Sequence, residues 1–445
     1  MQNSIKDRED LARAHQSTTN SNAADPWYKS MGPGLITGAA DDDPSGIGTY
    51  SANGAQFGYG LLWLVPLSLP LMIAVQEMCG RIGAITGEGL AAVLKQYYPK
   101  WLLWSCVILL IGANVFNVYA DLNVMAASAN MLFGVSFGMA LTFIALLITA
   151  LQIFVPYRSY VKILKWLCLS LLGYVIVALL PGVKNNWLMI VKDMFVPHMD
   201  LKGETILAIV AFLGTTISPY LFFWQAGETV EEEVADGEAD QAGHRTEAVS
   251  EQEIRNIRAD TTIGMLASQA VAFFIIIATA GSLHQQGITN INTAQDAAKA
   301  LLPLGPAAYW IFTLSMIGTG LLAIPTLAGS AAYAVAETAG WRYGLYRRFS
   351  RAKAFYVTIA GIVLVGYAMN FIHAIDPIKA LVYSAALNGV IAPPLIVVLL
   401  FICNNVKIVG ERTNGFWSNL LGGSTVGLMG ITALYLLYAM WMHKL

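Results

Sequence analysis

Three consecutive carboxylates, Asp41, Asp42 and Asp43, stand directly before Pro44 inside an otherwise apolar stretch that runs from about residue 32 to residue 57. One Asp near the centre of a membrane-spanning helix costs roughly 2.5–3.5 kcal/mol on insertion scales, so three at that depth would cost on the order of 7–10 kcal/mol. Something must offset this: the acids reach water at an edge, or a cation or proton in a watery cavity supplies the counter-charge. A second polar cluster, Thr215-Thr-Ile-Ser-Pro-Tyr220, interrupts another apolar stretch near 204–226. Pro44 and Pro219 each lack an N–H and clash with the preceding turn, so each break frees backbone carbonyls. In a bilayer, freed carbonyls are tolerated only against protein or a watery cavity, where they can bind a cation.

The rest of the chain must position these two breaks. Its 445 residues are 56 % hydrophobic and 12 % charged, with a mean hydropathy of +0.58, whereas an average soluble domain is about 25 % charged. This is the composition of an all-α integral membrane protein whose partner is the lipid bilayer. The net charge of −2 is too balanced to imply nucleic acid. No nucleophile–base pair, nucleotide loop or zinc motif supports an enzyme, and no cofactor is implied. Cys79, Cys106, Cys168 and Cys403 lack metal-ligand spacing and read as buried thiols.

Apolar segments of spanning length lie at about 32–57, 60–80, 101–127, 132–155, 160–181, 204–226, 259–282, 305–335, 354–373, 378–403 and 417–441, about eleven spans. Residues 1–28 are polar and read as a disordered cytosolic tail without a cleavable signal, ahead of one transporter domain over 29–445. Basic residues collect after the second, eighth and tenth spans and around the turn between the fourth and fifth, on the side of the N-terminus. That side is therefore cytosolic in a plasma (inner) membrane, and an odd span count puts Leu445 outside. The acidic segment at about 228–255 reads as a solvated cytosolic loop. The two breaks are five spans apart, as expected if 32–181 and 204–403 are inverted repeats, with 417–441 an extra span.

Several motifs here resemble the NRAMP (natural resistance-associated macrophage protein) family of divalent-metal transporters. Gly32-Pro-Gly34, Asp43-Pro44, Gly54-Ala-Gln-Phe-Gly-Tyr59 and Leu61-Leu-Trp63 are similar to its first span and turn, and Gln76, Arg81-Ile-Gly83 and Thr86-Gly87 to the end of its second. Leu327-Ala-Gly329 and the stretch from Ser384 to Pro393 are weaker echoes. The resemblance implies a LeuT-type fold of five plus five spans, with spans one and six unwound around the substrate. It also implies Asp43 as a metal ligand and the carbonyls of Ala40 and Thr215 as exposed.

The departures bear on chemistry. The family's Asp-Pro-Gly-Asn is Asp43-Pro44-Ser45-Gly46 here, and its Met-Pro-His is Ser218-Pro219-Tyr220, so a thioether gives way to a hydroxyl. Asp41 and Asp42 replace an aromatic and a methionine. The expected metal site, built from Asp43, Ser218, Ala40, Thr215, Asp42 and Asp41, shifts toward oxygen ligands and hard ions. Consecutive residues of a helix point apart, so one of Asp41 and Asp42 is expected in the cavity and the other against a basic group or water. The family's proton pathway falls on Val118 and Asp121, and its span-six histidine on Tyr220, which argues against conventional coupling. Asn388 follows Ala385, where the family has a polar ligand, and reads first as helix-packing glue; the alternative, shared with Asp121 and Tyr220, is a proton path or support of the metal ligands. The expected function is alternating-access transport of Mg2+ or Mn2+ by a monomer, weakly or not proton-coupled. The alternatives are proton-coupled Mn2+/Fe2+ import, transport of a small organic solute on the same fold, or a sensor.

Overall fold

The structure, a computed structural model, describes residues 37–442 except 39, 156–170, 181–182, 184, 198–201, 237–248 and 373–375. The expected N-terminal tail, most of the fifth span with Cys168, and the middle of the acidic segment lie outside the described residues. Among the described residues every regular element is a helix.

Residues 37, 38, 40 and 41 are helical, the chain leaves the helix at Asp42, and α1 (Pro44–Phe57) begins anew. Pro44 occupies the first helical turn, where its missing N–H would have had no intrahelical partner, and Asp43 is the N-cap. There follow α2 (Leu64–Thr86), α3 (Leu90–Tyr97), α4 (Lys100–Phe133), α5 (Phe137–Phe154), α6 (Leu172–Leu179) and α7 (Trp187–Phe195). The second break repeats the first: α8 (Gly203–Thr216) stops, Ile217 and Ser218 are non-helical, and Pro219 opens α9 (Pro219–Asp236). The chain then runs through α10 (Glu251–Ser282), α11 (Ala307–Ala339), α12 (Lys353–Met369), α13 (Pro377–Cys403) and α14 (Phe416–Trp441).

Among the described residues seven segments are long and apolar enough to cross a membrane: α4, α5, the α8–α9 pair, α10, α11, α13 and α14, with α12 shorter but apolar. The protein is an all-α membrane protein, and the expected eleven spans are matched in type rather than counted one by one. Side chains such as Phe143, Leu146, Ile431 and Leu434 are more than half exposed, which in a bilayer puts them against acyl chains.

Helix α1 packs on α10, and α9 packs on α2. If α1 and α2 correspond to the α8–α9 pair and α10, these are one contact made twice, each half lending its broken helix to the other. Both contacts need a glycine. A Cβ on Gly54 would lie 2.4 Å from the Ile276 carbonyl oxygen of α10, and one on Gly83 would lie 2.4 Å from the Ala226 carbonyl oxygen of α9. Helix α4 packs against α11 and α13, and α8 against α13, which closes the bundle around the breaks.

The acidic segment is ordered at both of its described ends. Residues 228–236, read from sequence as loop, continue α9, and Glu228, Glu231 and Glu233 are buried. Glu231 accepts from the Tyr333 hydroxyl, from the Leu345 N–H at 2.6 Å and from the Tyr346 N–H at 3.2 Å, so protein donors replace water there. At the other end Ser250 and Glu253 form a capping box that starts α10. Cys79, Cys106 and Cys403 are buried free thiols.

Candidate cation site

The first break folds locally around Asp43. Its Oδ1 accepts from the Ser45 hydroxyl at 2.7 Å and from the Gly46 N–H at 2.7 Å, which fixes the carboxylate over the start of α1. Its Oδ2 has no hydrogen-bond partner, although Asp43 is only 1 % exposed. A buried carboxylate oxygen without a donor is costly, and a cation is the natural partner for it. Ala40, on the helical segment before the break, gives its carbonyl to the Tyr220 hydroxyl of α9 at 3.1 Å.

At the second break the Ser218 hydroxyl faces the carbonyls of Thr215, at 2.9 Å, and Gly214, at 3.0 Å. It has one proton and turns back on its own helix, the habit of a Ser in a spanning segment. The breaks touch: a Cβ on Gly46 would lie 3.2 Å from Thr215 Oγ1 and 3.3 Å from the Tyr50 ring. The Tyr50 and Thr215 hydroxyls are both buried and face each other. Thr37 Oγ1 donates to Gln225 Oε1 at 2.6 Å, a second tie between the first segment and α9.

Asp41 and Asp42 depart from the expectation that one faces the cavity and the other a basic group or water. Both are buried, at 0 % and 5 % exposure, and both turn to the same hydroxyl: Ser268 Oγ of α10 lies 2.8 Å from Asp41 Oδ2 and 3.2 Å from Asp42 Oδ1. The reason is that the helix ends at Asp42, so the angular spacing of helical neighbours no longer separates the two side chains. Among the described residues neither pairs with Lys or Arg; the charged groups acting on Asp41 are Asp42 and Asp43.

Asp121 lies on α4, wholly buried, with neither carboxylate oxygen hydrogen-bonded and with Asp43 as the charged group that acts on it. Asn388 is engaged elsewhere: it and Asn117 of α4 exchange amide hydrogen bonds of 3.0 and 3.3 Å, joining α13 to α4. The structure therefore gathers Asp41, Asp42, Asp43, Ala40, Thr215, Ser218 and Tyr220 about the two breaks, while Asn388 meets Asn117. Ser268, Tyr50 and Asn117 were missed by sequence reasoning. The available signal for Ser268 was the polar pair Ser268-Gln269 inside the apolar run of α10. Among the described residues, no group of three or more His, Cys, Asp or Glu side chains is placed to hold one metal ion.

Two spanning segments broken at prolines, crossed contacts between two halves, and buried carboxylates where the breaks meet define a multi-pass membrane protein of the LeuT-type inverted-repeat fold. Residues 34–439 match the Natural resistance-associated macrophage protein-like family, Nramp, and the chain belongs to that family. It is 26 % identical over 409 residues to the divalent metal cation transporter MntH of Klebsiella pneumoniae subsp. pneumoniae, an alignment covering 90 % of this chain and 91 % of that protein. To the MntH of Brucella suis biovar 1 it is 24 % identical over 417 residues, covering 92 % of this chain and 87 % of the relative. The crystal structure of the Eremococcus coleocola manganese transporter superposes with a TM-score of 0.71 at 17 % identity, covering 95 % of this chain and 89 % of that one. Mhp1, a nucleobase-cation-symport-1 family transporter in a closed conformation, superposes with a TM-score of 0.53 at 13 % identity, covering 93 % and 91 %. At these identities the two structures share the fold.

Proposed function

We propose that this chain carries divalent metal cations through a plasma membrane by alternating access, with Asp43 as the central ligand and a preference for hard ions such as Mg2+ or Mn2+. The observation that carries this reading is the Asp43 carboxylate: one oxygen is fixed by Ser45 and Gly46, and the other is buried without a donor. The helical segment before Asp42 and helix α8 both end at this point, and helix C-termini carry partial negative charge that favours a cation. The carbonyls of Ala40 and Thr215 complete the ligand set, with Asp41 and Asp42 adding charge behind them. Ser218 donates its proton to the α8 carbonyls and keeps its oxygen lone pairs for the ion. With few side-chain ligands, the ion keeps part of its water, a regime that suits Mg2+. A thioether is absent at position 218, which removes the contact that favours soft ions. In this reading the basic connections and the N-terminus face the cytosol, Leu445 lies outside, and the chain works as a monomer.

The test is uptake into proteoliposomes with metal competition. Wild type is expected to take up Mn2+ or Mg2+ without strong preference for Cd2+, and Asp43→Ala to lose uptake. Unimpaired uptake by Asp43→Ala, or a tight preference for Cd2+, would overturn the assignment.

A proton-coupled importer is the second reading, favoured by Asp121, whose buried carboxylate has Asp43 as its charged neighbour. An internal pH dye decides between the two. Metal entry without acidification of the lumen supports the uncoupled reading, and acidification that disappears in Asp121→Asn supports the coupled one.

A further inference from the structure

The connection between α11 and α12 gathers Arg342, Arg347, Arg348, Arg351 and Lys353, and no Asp or Glu occurs between Glu337 and Asp376. Among the described residues Arg342, Arg348 and Lys353 form no ion pair. The helices on either side are apolar and α11 is long enough to span, so the connection meets the bilayer at its surface.

The same stretch is rich in rings. Trp341, Tyr346 and Phe349 are each more than a third exposed, and amphipathic rings flanking a span sit at headgroup level. The frame that carries them is fixed: the Arg347 carbonyl accepts from the Tyr356 hydroxyl of α12 at 2.7 Å, and the Leu345 and Tyr346 N–H groups are bonded to Glu231 of α9. The Arg347 guanidinium lies 4.9 Å from the centre of the Tyr346 ring. Arg342 and Arg347 line one pocket of about 210 Å³ with Trp341, Tyr343 and Tyr346. Glu231 lines it too, but its carboxylate is turned to the Tyr333 hydroxyl and the two N–H groups.

We propose that this connection docks an anionic phospholipid, with the phosphate between Arg342 and Arg347 and the exposed rings among the glycerol backbones. Guanidinium groups match phosphate oxygens in pairs, and Arg348 and Lys353 add positive charge beside them. A lipid fits better than an acidic protein because it offers an anion and an apolar layer together, at the height where these side chains stand. Occupancy bears on transport through Glu231, which anchors the second half of the broken span to N–H groups lying between Arg342 and Arg347 in the chain. A headgroup that holds the arginines holds that anchor. The step to transport rests on the function proposed above; binding of the lipid does not.

The test is native mass spectrometry of the purified full-length protein, titrated with phosphatidylglycerol or phosphatidylcholine. Wild type is expected to prefer phosphatidylglycerol by roughly tenfold or more, since each basic residue near an anionic surface contributes about fivefold in affinity. Arg342→Gln with Arg348→Gln should remove most of that preference, and Arg342→Lys with Arg348→Lys should keep most of it. Lys100→Gln with Lys407→Gln, the same charge change at exposed residues elsewhere, should leave it in place. In proteoliposomes, wild-type Mn2+ uptake is expected to fall when phosphatidylcholine replaces phosphatidylglycerol, and uptake by the Arg342→Gln, Arg348→Gln protein to respond little. A monodisperse gel-filtration profile confirms that each variant is folded.

Equal retention of the two lipids by folded wild type would overturn the proposal. So would equal losses in the two Gln double variants, which would reduce the effect to net charge, or displacement of the lipid by inorganic phosphate, which would make the pocket a site for a soluble anion. Selective binding that depends on Arg342 and Arg348, in a protein that moves no divalent metal, would sustain the lipid surface while the transport reading failed.

Discussion

Asp43 and Ser218 stand before matching prolines yet differ in what they leave available. Asp43 offers a charged oxygen with no donor, whereas Ser218 offers only the lone pairs of a neutral hydroxyl whose proton goes to carbonyls of its own helix. Ser218→Ala is therefore expected to reduce proteoliposome uptake by less than about tenfold, since removing a neutral hydroxyl contact is worth about 1 kcal/mol; loss of uptake as complete as in Asp43→Ala would make the hydroxyl an obligatory ligand. Asn388→Ala should lower stability by about 1 kcal/mol, a usual value for a hydrogen bond between spanning helices, and leave metal selectivity unchanged. Thermal unfolding of Asn388→Ala, Asn117→Ala and the double variant tests this, with non-additive losses expected of a reciprocal pair. Asp43 was legible because an acid beside a proline in an apolar run has few bland explanations. Ser268 was not, because hydroxyls in spanning helices commonly bond their own backbone, and only a partner on another helix distinguishes this one.

At the scale of elements, the prolines open half-helices rather than bend whole ones. The sequence marked where backbone would break, and the N-cap role of Asp43 explains why the second half starts at once. The end of α9 was harder to read. Glutamates from 228 onward lower the hydropathy and so imitate the end of a span, although Glu favours helix and Glu231 finds donors on the chain beyond α11. The crossed contacts α1–α10 and α2–α9 depend on close backbone approach, which leads to a prediction. Gly83→Val should destabilise the protein by about 1–3 kcal/mol or prevent folding, because a Cβ there would meet the Ala226 carbonyl at 2.4 Å and that oxygen belongs to a helix. A fluorescence melting curve checks this: an unchanged midpoint would mean that α9 can retreat from α2 at little cost.

For the whole molecule, the two-repeat plan was legible from the spacing of the two breaks, while the way each half lends its broken helix to the other required coordinates. Glu231 ties the C-terminal part of α9 to the chain leading into α12, and α9 is the second half of a broken span. Glu231→Ala is expected to speed amide hydrogen exchange at Leu345 and Tyr346 by roughly tenfold or more, as loss of a charged acceptor implies. Mass spectrometry of peptides covering 341–352 reads this directly, and unchanged exchange there would show that the linker holds without α9. The tie between Asp41, Asp42 and Ser268 reaches beyond this one molecule. The acids come from the first half of the chain and the hydroxyl from the second, so the set cannot have been acquired by altering a single segment. A relative given only the acids would bury two carboxyl groups without their hydroxyl donor, and one given only the serine would turn that hydroxyl back onto its own helix. Descent should therefore have kept the three together, and grafting this chemistry onto a cousin means changing both halves at once.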